Sequence, residues 1–348
     1  MLSHETDRST GIAAGIVLCL FTLFATVVLQ RWIGGMTVYA PDLDGKRIEL
    51  HAAILANQPP DGRTWESIGA RNTNTRIATV WLAEGLHRVA AIPVLKAYFI
   101  IDTASLWISL LLLFLLLRQW FEPVYCLVGL LYYISVLPLT YLFYFFHPWD
   151  RLSQCLWILM LLCIKRDWFA GLAVTLAASM VVKYDTVPVP AIYWLANVTR
   201  KTFMPVTLRT VGLCAIAVAL LIALVTMFPG GASSPFDASA AWARVVANLG
   251  ALERMKLIYP PLLMHGLPTV LAFVGWARSD RVARAGVVVG LACLAPLFFI
   301  ASNFHEVRAE VPLTLLLLPA ALFGLQRIIE HASLPARMLT RRATLQDT

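Results

Sequence analysis

The chain has 348 residues, of which 59% are hydrophobic and only 14% are charged. Soluble domains carry about 25% charged residues, so composition excludes a large soluble domain. It leaves a chain whose size is spent on apolar runs long enough to enter a bilayer. The net charge of +8 is not the footprint of a nucleic-acid groove, because the basic residues stand beside apolar runs, where they set topology.

The first apolar run, Gly11–Gln30, is about 20 residues long and spans a bilayer. No small-residue cleavage site follows it, so it reads as a retained span and not as a signal peptide. A long polar stretch, 31–92, comes next. Within it "DGKRIELHAAILANQPPDG" predicts a short helix that starts after Asp44-Gly45 and is broken by Pro59-Pro60. "RIATVWLAEGLHRVAAIP" predicts an amphipathic helix with Leu82, Leu86 and Val89 opposite Arg76, Glu84 and His87. Such a helix lies flat in the membrane interface.

Further spans follow over Ala97–Leu117, Val124–Phe146, Leu152–Ile164, Trp168–Val182, Val187–Val198, Thr210–Phe228, Leu257–Trp276, Gly286–Ser302 and Val311–Leu325. The predicted fold is an all-α polytopic membrane bundle of about ten spans, several of them shorter than the bilayer is thick. "FDASAAWARVVANLGALERMK" predicts a third helix outside the bundle, with Trp242, Val245, Val246 and Leu249 on one side. The chain reads as one domain: first span 1–30, external loop 31–92, bundle 93–326 and tail 327–348. No internal repeat supports an inverted-repeat transporter. The six cysteines lie in or at the edges of apolar runs at irregular spacing, as small core residues do.

Basic residues set the orientation. One set of short loops holds Arg118; Lys165 and Arg166; Arg200, Lys201 and Arg209; Arg278, Arg281 and Arg284; the tail adds Arg327, Arg337, Arg341 and Arg342. The alternate loops hold single basic residues, Arg151, Lys183 and Arg308. Both termini therefore belong in the cytoplasm of an integral membrane protein, which fits a bacterial inner membrane. The long first loop, "FFHPWDR", "VVKYDTVP" and "NFHEVRAEVP" belong on the outer, periplasmic side.

That outer side collects Asp42 and Asp44, Asp150, Lys183 and Asp185, and His305, Glu306 and Arg308, each at a span end or in an external loop. Ordinary roles fit each one taken alone. Asp42 and Asp44 suit a turn, Asp150 suits a helix cap, and Lys183 suits a snorkelling surface cation. Arg308 and Glu310 suit a wet loop. Asp102 lies inside a span, where an acid faces other helices. Together the set has a chemistry: an arginine fork and a lysine point charge bind phosphate, and a carboxylate takes the proton of an attacking hydroxyl. There is no Walker A loop, no GxGxxG after a strand, no HExxH and no Cys/His cluster. "DLD" has the form of a three-letter metal motif, so a divalent metal is neither required nor excluded.

The layout resembles the GT-C superfamily of polytopic glycosyltransferases. The likeness rests on one span followed by a long external loop, the early acids in "PDLDGKRIELHAAI", and "NTRIATVWLAEGL" before the second span. It also rests on Asp150 in "HPWDRLSQCLWILMLL", Lys183 in "LAASMVVKYDTVPVPAIYWL", and "NFHEVRAEVPLTLLLLP" before the last span. The chain departs from the pattern in lacking a clear Asp-Asp or Asp-Glu pair and in being short.

The resemblance implies a sugar donor linked to polyprenyl phosphate and a glycan, lipid or protein acceptor within a lipid setting, with no nucleic-acid partner. Asp44, or failing it Asp42, is then the catalytic base. Arg308 and Lys183 hold the donor phosphate, and His305, Glu306, Asp150 and Asp185 position donor or acceptor. Two other classes stay open: a transport or assembly component without catalysis, and a polysaccharide polymerase or ligase.

Overall fold

The computed structural model describes residues 2–33, 42–59, 62–63, 75–141, 149–228, 238–302 and 306–346. All regular structure among them is helical. The helices are α1 (Leu2–Val27), α2 (Asp42–Ala56), α3 (Ile77–Ala90), α4 (Val94–Leu117), α5 (Pro123–Val136), α6 (Asp150–Lys165), α7 (Phe169–Val182) and α8 (Val189–Asn197). They continue with α9 (Phe203–Met227), α10 (Ala238–Ala251), α11 (Met255–Pro261), α12 (Leu267–Gly275), α13 (Arg281–Val289), α14 (Ala295–Ala301) and α15 (Val311–Gln346).

Among the described residues, seven segments are long and apolar enough to cross a membrane: Ala13–Arg31, Val94–Leu117, Pro123–Tyr141, Phe203–Met227, Leu257–Gly275, Arg281–Ile300 and Val311–Ala332. The chain is thus an all-α bundle of an integral membrane protein. The predicted spans Leu152–Ile164, Trp168–Val182 and Val187–Val198 are the helices α6, α7 and α8, which are not among these seven.

Local chemistry sets the element ends. Pro93 precedes α4 and Pro123 opens α5, where a missing N–H costs nothing. Asp280 caps α13 by accepting the Ala283 backbone N–H at 2.9 Å, as an N-cap carboxylate does. Two spans are broken by π-turns, Leu262–Gly266 between α11 and α12 and Gly290–Leu294 between α13 and α14. A third π-turn, Val28–Ile33, ends α1. The Tyr132 hydroxyl donates to the Leu263 and Met264 carbonyls, which serves backbone acceptors around the break.

The core runs through α4, α6 and α15. Trp157, Tyr133, Leu106, Leu110 and Leu317 are fully buried in it. On α4 the buried residues Tyr98, Asp102, Ser105, Ser109 and Leu113 follow helical spacing, and the two serines let α6 approach closely. Helices α12 and α15 meet backbone to backbone at Gly275 and Gly324. A Cβ on Gly275 would collide with the Ala320 carbonyl, and one on Gly324 with the Leu271 carbonyl.

Of the helices outside the bundle, one departs from expectation. Helix α2 starts at Asp42 and not after Gly45, so both acids lie in its first turn. In α3 the buried residues are Ile77, Thr79, Val80 and Ala83, while Leu82 and Val89 are exposed. In α10 Trp242, Val246 and Leu249 are exposed and Asn248 is buried. Both helices turn a large part of their apolar surface outward and fasten to the protein through polar groups. His51 of α2 bridges the Tyr98 hydroxyl, at 2.8 Å, and Glu84 of α3, at 3.1 Å. Hydrogen bonds from His51 and Arg88 hold the Glu84 carboxyl below its ordinary range. Asn248 donates to the carbonyls of Phe299 and Ser302, where α14 ends.

Candidate functional site

Helix α6 begins with Trp149 and Asp150, and both are buried. The N-cap position is Trp149, and Asp150 is the first residue of the helix. Its carboxylate divides between two cations: Oδ1 lies 3.1 Å from Lys183 Nζ and Oδ2 lies 3.0 Å from Arg308 Nη1. Lys183 follows the end of α7, and Arg308 stands in the turn before α15. Three segments far apart in sequence therefore converge at one end of the bundle.

The pairing extends outward. Lys183 Nζ also meets Asp185 Oδ2 at 3.0 Å. Asp185 Oδ1 accepts from the Ser153 hydroxyl and the Trp157 indole N–H, both at 3.3 Å. Arg308 Nη2 donates to Glu306 Oε2 at 2.8 Å. Burial disfavours the Lys183 ammonium, but the carboxylates of Asp150 and Asp185 outweigh it and hold its pKa above the ordinary lysine value. Neither Lys183 nor Arg308 snorkels or sits in a wet loop, since both are buried.

One turn into α6 the polar character continues. Arg151 donates to Gln154 Oε1 at 3.2 Å and to the Thr140 hydroxyl at 2.7 Å, with its guanidinium 4.9 Å over the Tyr141 ring. The Tyr133 hydroxyl shares the same Gln154 oxygen. Asp102 of α4 accepts from the Gln30 amide and lies within electrostatic range of Arg151, Asp150 and Arg47. Gln30 comes from the π-turn that ends α1. Five cations (Arg47, Arg76, Arg151, Lys183 and Arg308) and four carboxylates (Asp102, Asp150, Asp185 and Glu306) thus occupy one region.

Of the residues singled out in the sequence, Asp150, Lys183, Asp185, Glu306 and Arg308 come together. His305 and the side chains of Asp42 and Asp44 lie outside the described residues. Glu310, read as a partner of Arg308 in a wet loop, is buried and instead meets His265 Nε2 at 2.9 Å. His265 Nδ1 faces the Thr314 hydroxyl at 3.2 Å.

Arg76, Arg151 and the His265–Glu310 pair were not singled out by sequence reasoning. The available signal was their type: an ionisable residue near an apolar run has to find a partner inside the protein. Among the described residues no group of three His, Cys, Asp or Glu side chains is arranged to hold a metal ion.

The arrangement has a clear chemical capacity. A carboxylate with each oxygen on a different cation has the form that two phosphate oxygens take between an arginine and a lysine. Compared with protein-family models, with curated proteins and with solved structures, the chain matches none.

Proposed function

We propose that the chain is a membrane glycosyltransferase of GT-C type that moves a sugar from a polyprenyl-phosphate-linked donor to an acceptor hydroxyl on the outer face of the membrane. The observation that carries this reading is the convergence of Lys183 and Arg308 on the two oxygens of the Asp150 carboxylate. The two cations are already aimed at one oxyanion, and a donor phosphate competes for that place.

In the proposed reaction a carboxylate of α2, Asp44 ahead of Asp42, takes the acceptor hydroxyl proton. The acceptor oxygen attacks the anomeric carbon in line. The bond from that carbon to the phosphate oxygen breaks, its electron pair leaves with the lipid phosphate, and the sugar inverts. Arg308 and Lys183 hold the charge that develops on the leaving phosphate. Glu306 and Asp185 orient these cations, Asp150 keeps them together before the donor arrives, and His305 positions donor or acceptor. The short helices α6, α7 and α8 complete a set of about ten spans, some of which stop partway where a headgroup enters. Both termini face the cytoplasm of a bacterial inner membrane.

A second reading has its own support. Asp102, and His265 with its partner Glu310, are ionisable groups in or at the ends of spans, which is where transporters keep ion and proton pathways. In that reading the chain moves a lipid-linked glycan without chemistry.

The test is transfer from a radiolabelled polyprenyl-phosphate hexose by the purified full chain, with Asp44→Asn, Asp42→Asn and Arg308→Ala beside it. The glycosyltransferase reading expects loss of turnover in Arg308→Ala and in one of the two Asp variants. Transfer that survives all three substitutions would overturn the site. Movement of the lipid across a vesicle with no transfer would favour transport.

A further inference from the structure

Arg76 stands immediately before α3 and is held in an unusual way. Its guanidinium lies 4.8 Å from the Trp149 ring centroid and 5.7 Å from that of Tyr184. These aromatics directly precede Asp150 and directly follow Lys183, so Arg76 is fixed by the residues that flank the ion cluster. It is close enough to Lys183 for the two charges to repel. Yet the Arg76 guanidinium donates no hydrogen bond within the described residues, and its buried Nε has no partner. The contrast with its neighbours is sharp. Arg308 gives one nitrogen to Asp150 and another to Glu306, and Lys183 meets Asp150 and Asp185.

Two aromatic faces orient a guanidinium and lower the cost of holding its charge, but they accept none of its N–H groups. A buried N–H such as that of Arg76 Nε costs free energy until something supplies an acceptor. A planar fork with its edge unengaged, beside a second cation, matches an oxyanion that brings two acceptor oxygens and compensating charge.

We propose that Arg76, clasped by Trp149 and Tyr184, is an oxyanion-binding residue that takes a phosphate or carboxylate group of a substrate. It is distinct from the Lys183–Arg308 pair, whose donors Asp150, Asp185 and Glu306 already occupy. The proposal goes beyond the donor-phosphate role given to that pair, and it stands even if the chain transfers no sugar. The oxyanion comes from one of two sources, the lipid phosphate of the donor or an acidic group on the acceptor.

The experiment measures binding to the full chain in phosphatidylcholine nanodiscs by thermophoresis. The probes are undecaprenyl phosphate, neutral undecaprenol, methyl phosphate and glucuronate. The proteins are wild type, Arg76→Gln, Arg76→Lys and Arg308→Gln, and a thermal melt of each confirms the fold. Arg76→Lys keeps a charge at the site if Arg76→Gln does not fold. Arg76→Gln is expected to weaken oxyanion binding at least about tenfold, the scale of a charge-assisted contact. Arg76→Lys is expected to restore part of it, with no change for undecaprenol.

Loss confined to undecaprenyl phosphate assigns the lipid as the source. Loss confined to methyl phosphate and glucuronate assigns the acceptor. Arg76-dependent binding of the small oxyanions by a wild type that ignores undecaprenyl phosphate removes the donor reading above and leaves this site standing. Oxyanion binding that Arg308→Gln abolishes and both Arg76 variants retain overturns the proposal, as does a wild type that binds none of the three oxyanions.

Discussion

Helix α6 carries an ion cluster at each end, built from the same residue types. At its start Asp150 is shared between Lys183 and Arg308. At its end, about 22 Å away at 1.5 Å per residue, Lys165 meets Asp280 with the Trp120 ring beneath it. The difference is water. The three side chains of the first cluster are 5%, 11% and 9% exposed, whereas Lys165 and Asp280 are 22% and 33% exposed. A wet pair is worth about 0–1 kcal/mol. In a buried network, removal of one member strands a charge and costs about 3–5 kcal/mol. A protein that needed only a fastening had the cheaper kind at hand and uses it at the other end. The buried and shared pair at the start of α6 therefore calls for a further reason, and anion binding supplies one.

The largest expected effect tests that contrast directly. Asp150→Ala leaves Lys183 and Arg308 without their common partner, and a loss of about 3 kcal/mol or more is expected in denaturant unfolding of the detergent-solubilised chain. A loss below about 1 kcal/mol would place this cluster in the same class as the wet one. Added undecaprenyl phosphate is expected to recover part of the loss, because a bound oxyanion replaces the carboxylate.

Next comes alkaline pH. The folded-state pKa of Lys183 is raised, so its stabilising contribution is complete below the ordinary lysine pKa and is lost as pH rises through the folded value. A melting curve followed from neutral to strongly alkaline pH is expected to fall in that window for wild type and less steeply for Lys183→Met. Equal slopes would remove the buried charge from the account.

Asp280 gives a smaller effect of opposite sign. Burial raises its pKa, but the Ala283 N–H and Lys165 outweigh this and hold it below the ordinary aspartate value. Its contribution is present above that value and is lost as pH falls through the folded one. Asp280→Asn is expected to cost at most about 1 kcal/mol near neutrality, with wild type and variant converging in acid. The smallest effect belongs to Arg278 and Glu330, an exposed pair at 38% and 47%. Arg278→Ala is expected to change stability by less than about 0.5 kcal/mol, and a larger loss would break the rule that water decides.

The sequence shows Asp150, Lys183, Asp185, Glu306 and Arg308 as span-end residues on one side, and they do meet. It does not show that one carboxylate holds both cations. Asp150 and Arg308 are 158 residues apart, and which helix ends are neighbours depends on packing that periodicity does not encode. The surface helices show a different limit. The apolar stripe of α3 reads as lying in the membrane interface, and Leu82 and Val89 do face out. What periodicity leaves out is the polar fastening: Glu84 reaches in to His51, and in α10 Asn248 is buried while Trp242 is exposed. Arg76 reads only as part of the polar side of α3, with nothing in the periodicity to show that Trp149 and Tyr184 hold it.

The glycine contact between α12 and α15 bears on how the cluster can move. Two helices that touch through backbone have no layer of side chains between them to deform, so one cannot slip along the other without a collision at Leu271 or Ala320. Helix α15 is thereby a fixed mast. Arg308 stands three residues before its first turn and is anchored nearby through Glu310 to His265. In mechanical terms Arg308 is the stationary jaw of the cluster, and any widening of the gap at Asp150 falls to α6, α7 and the helices outside the bundle.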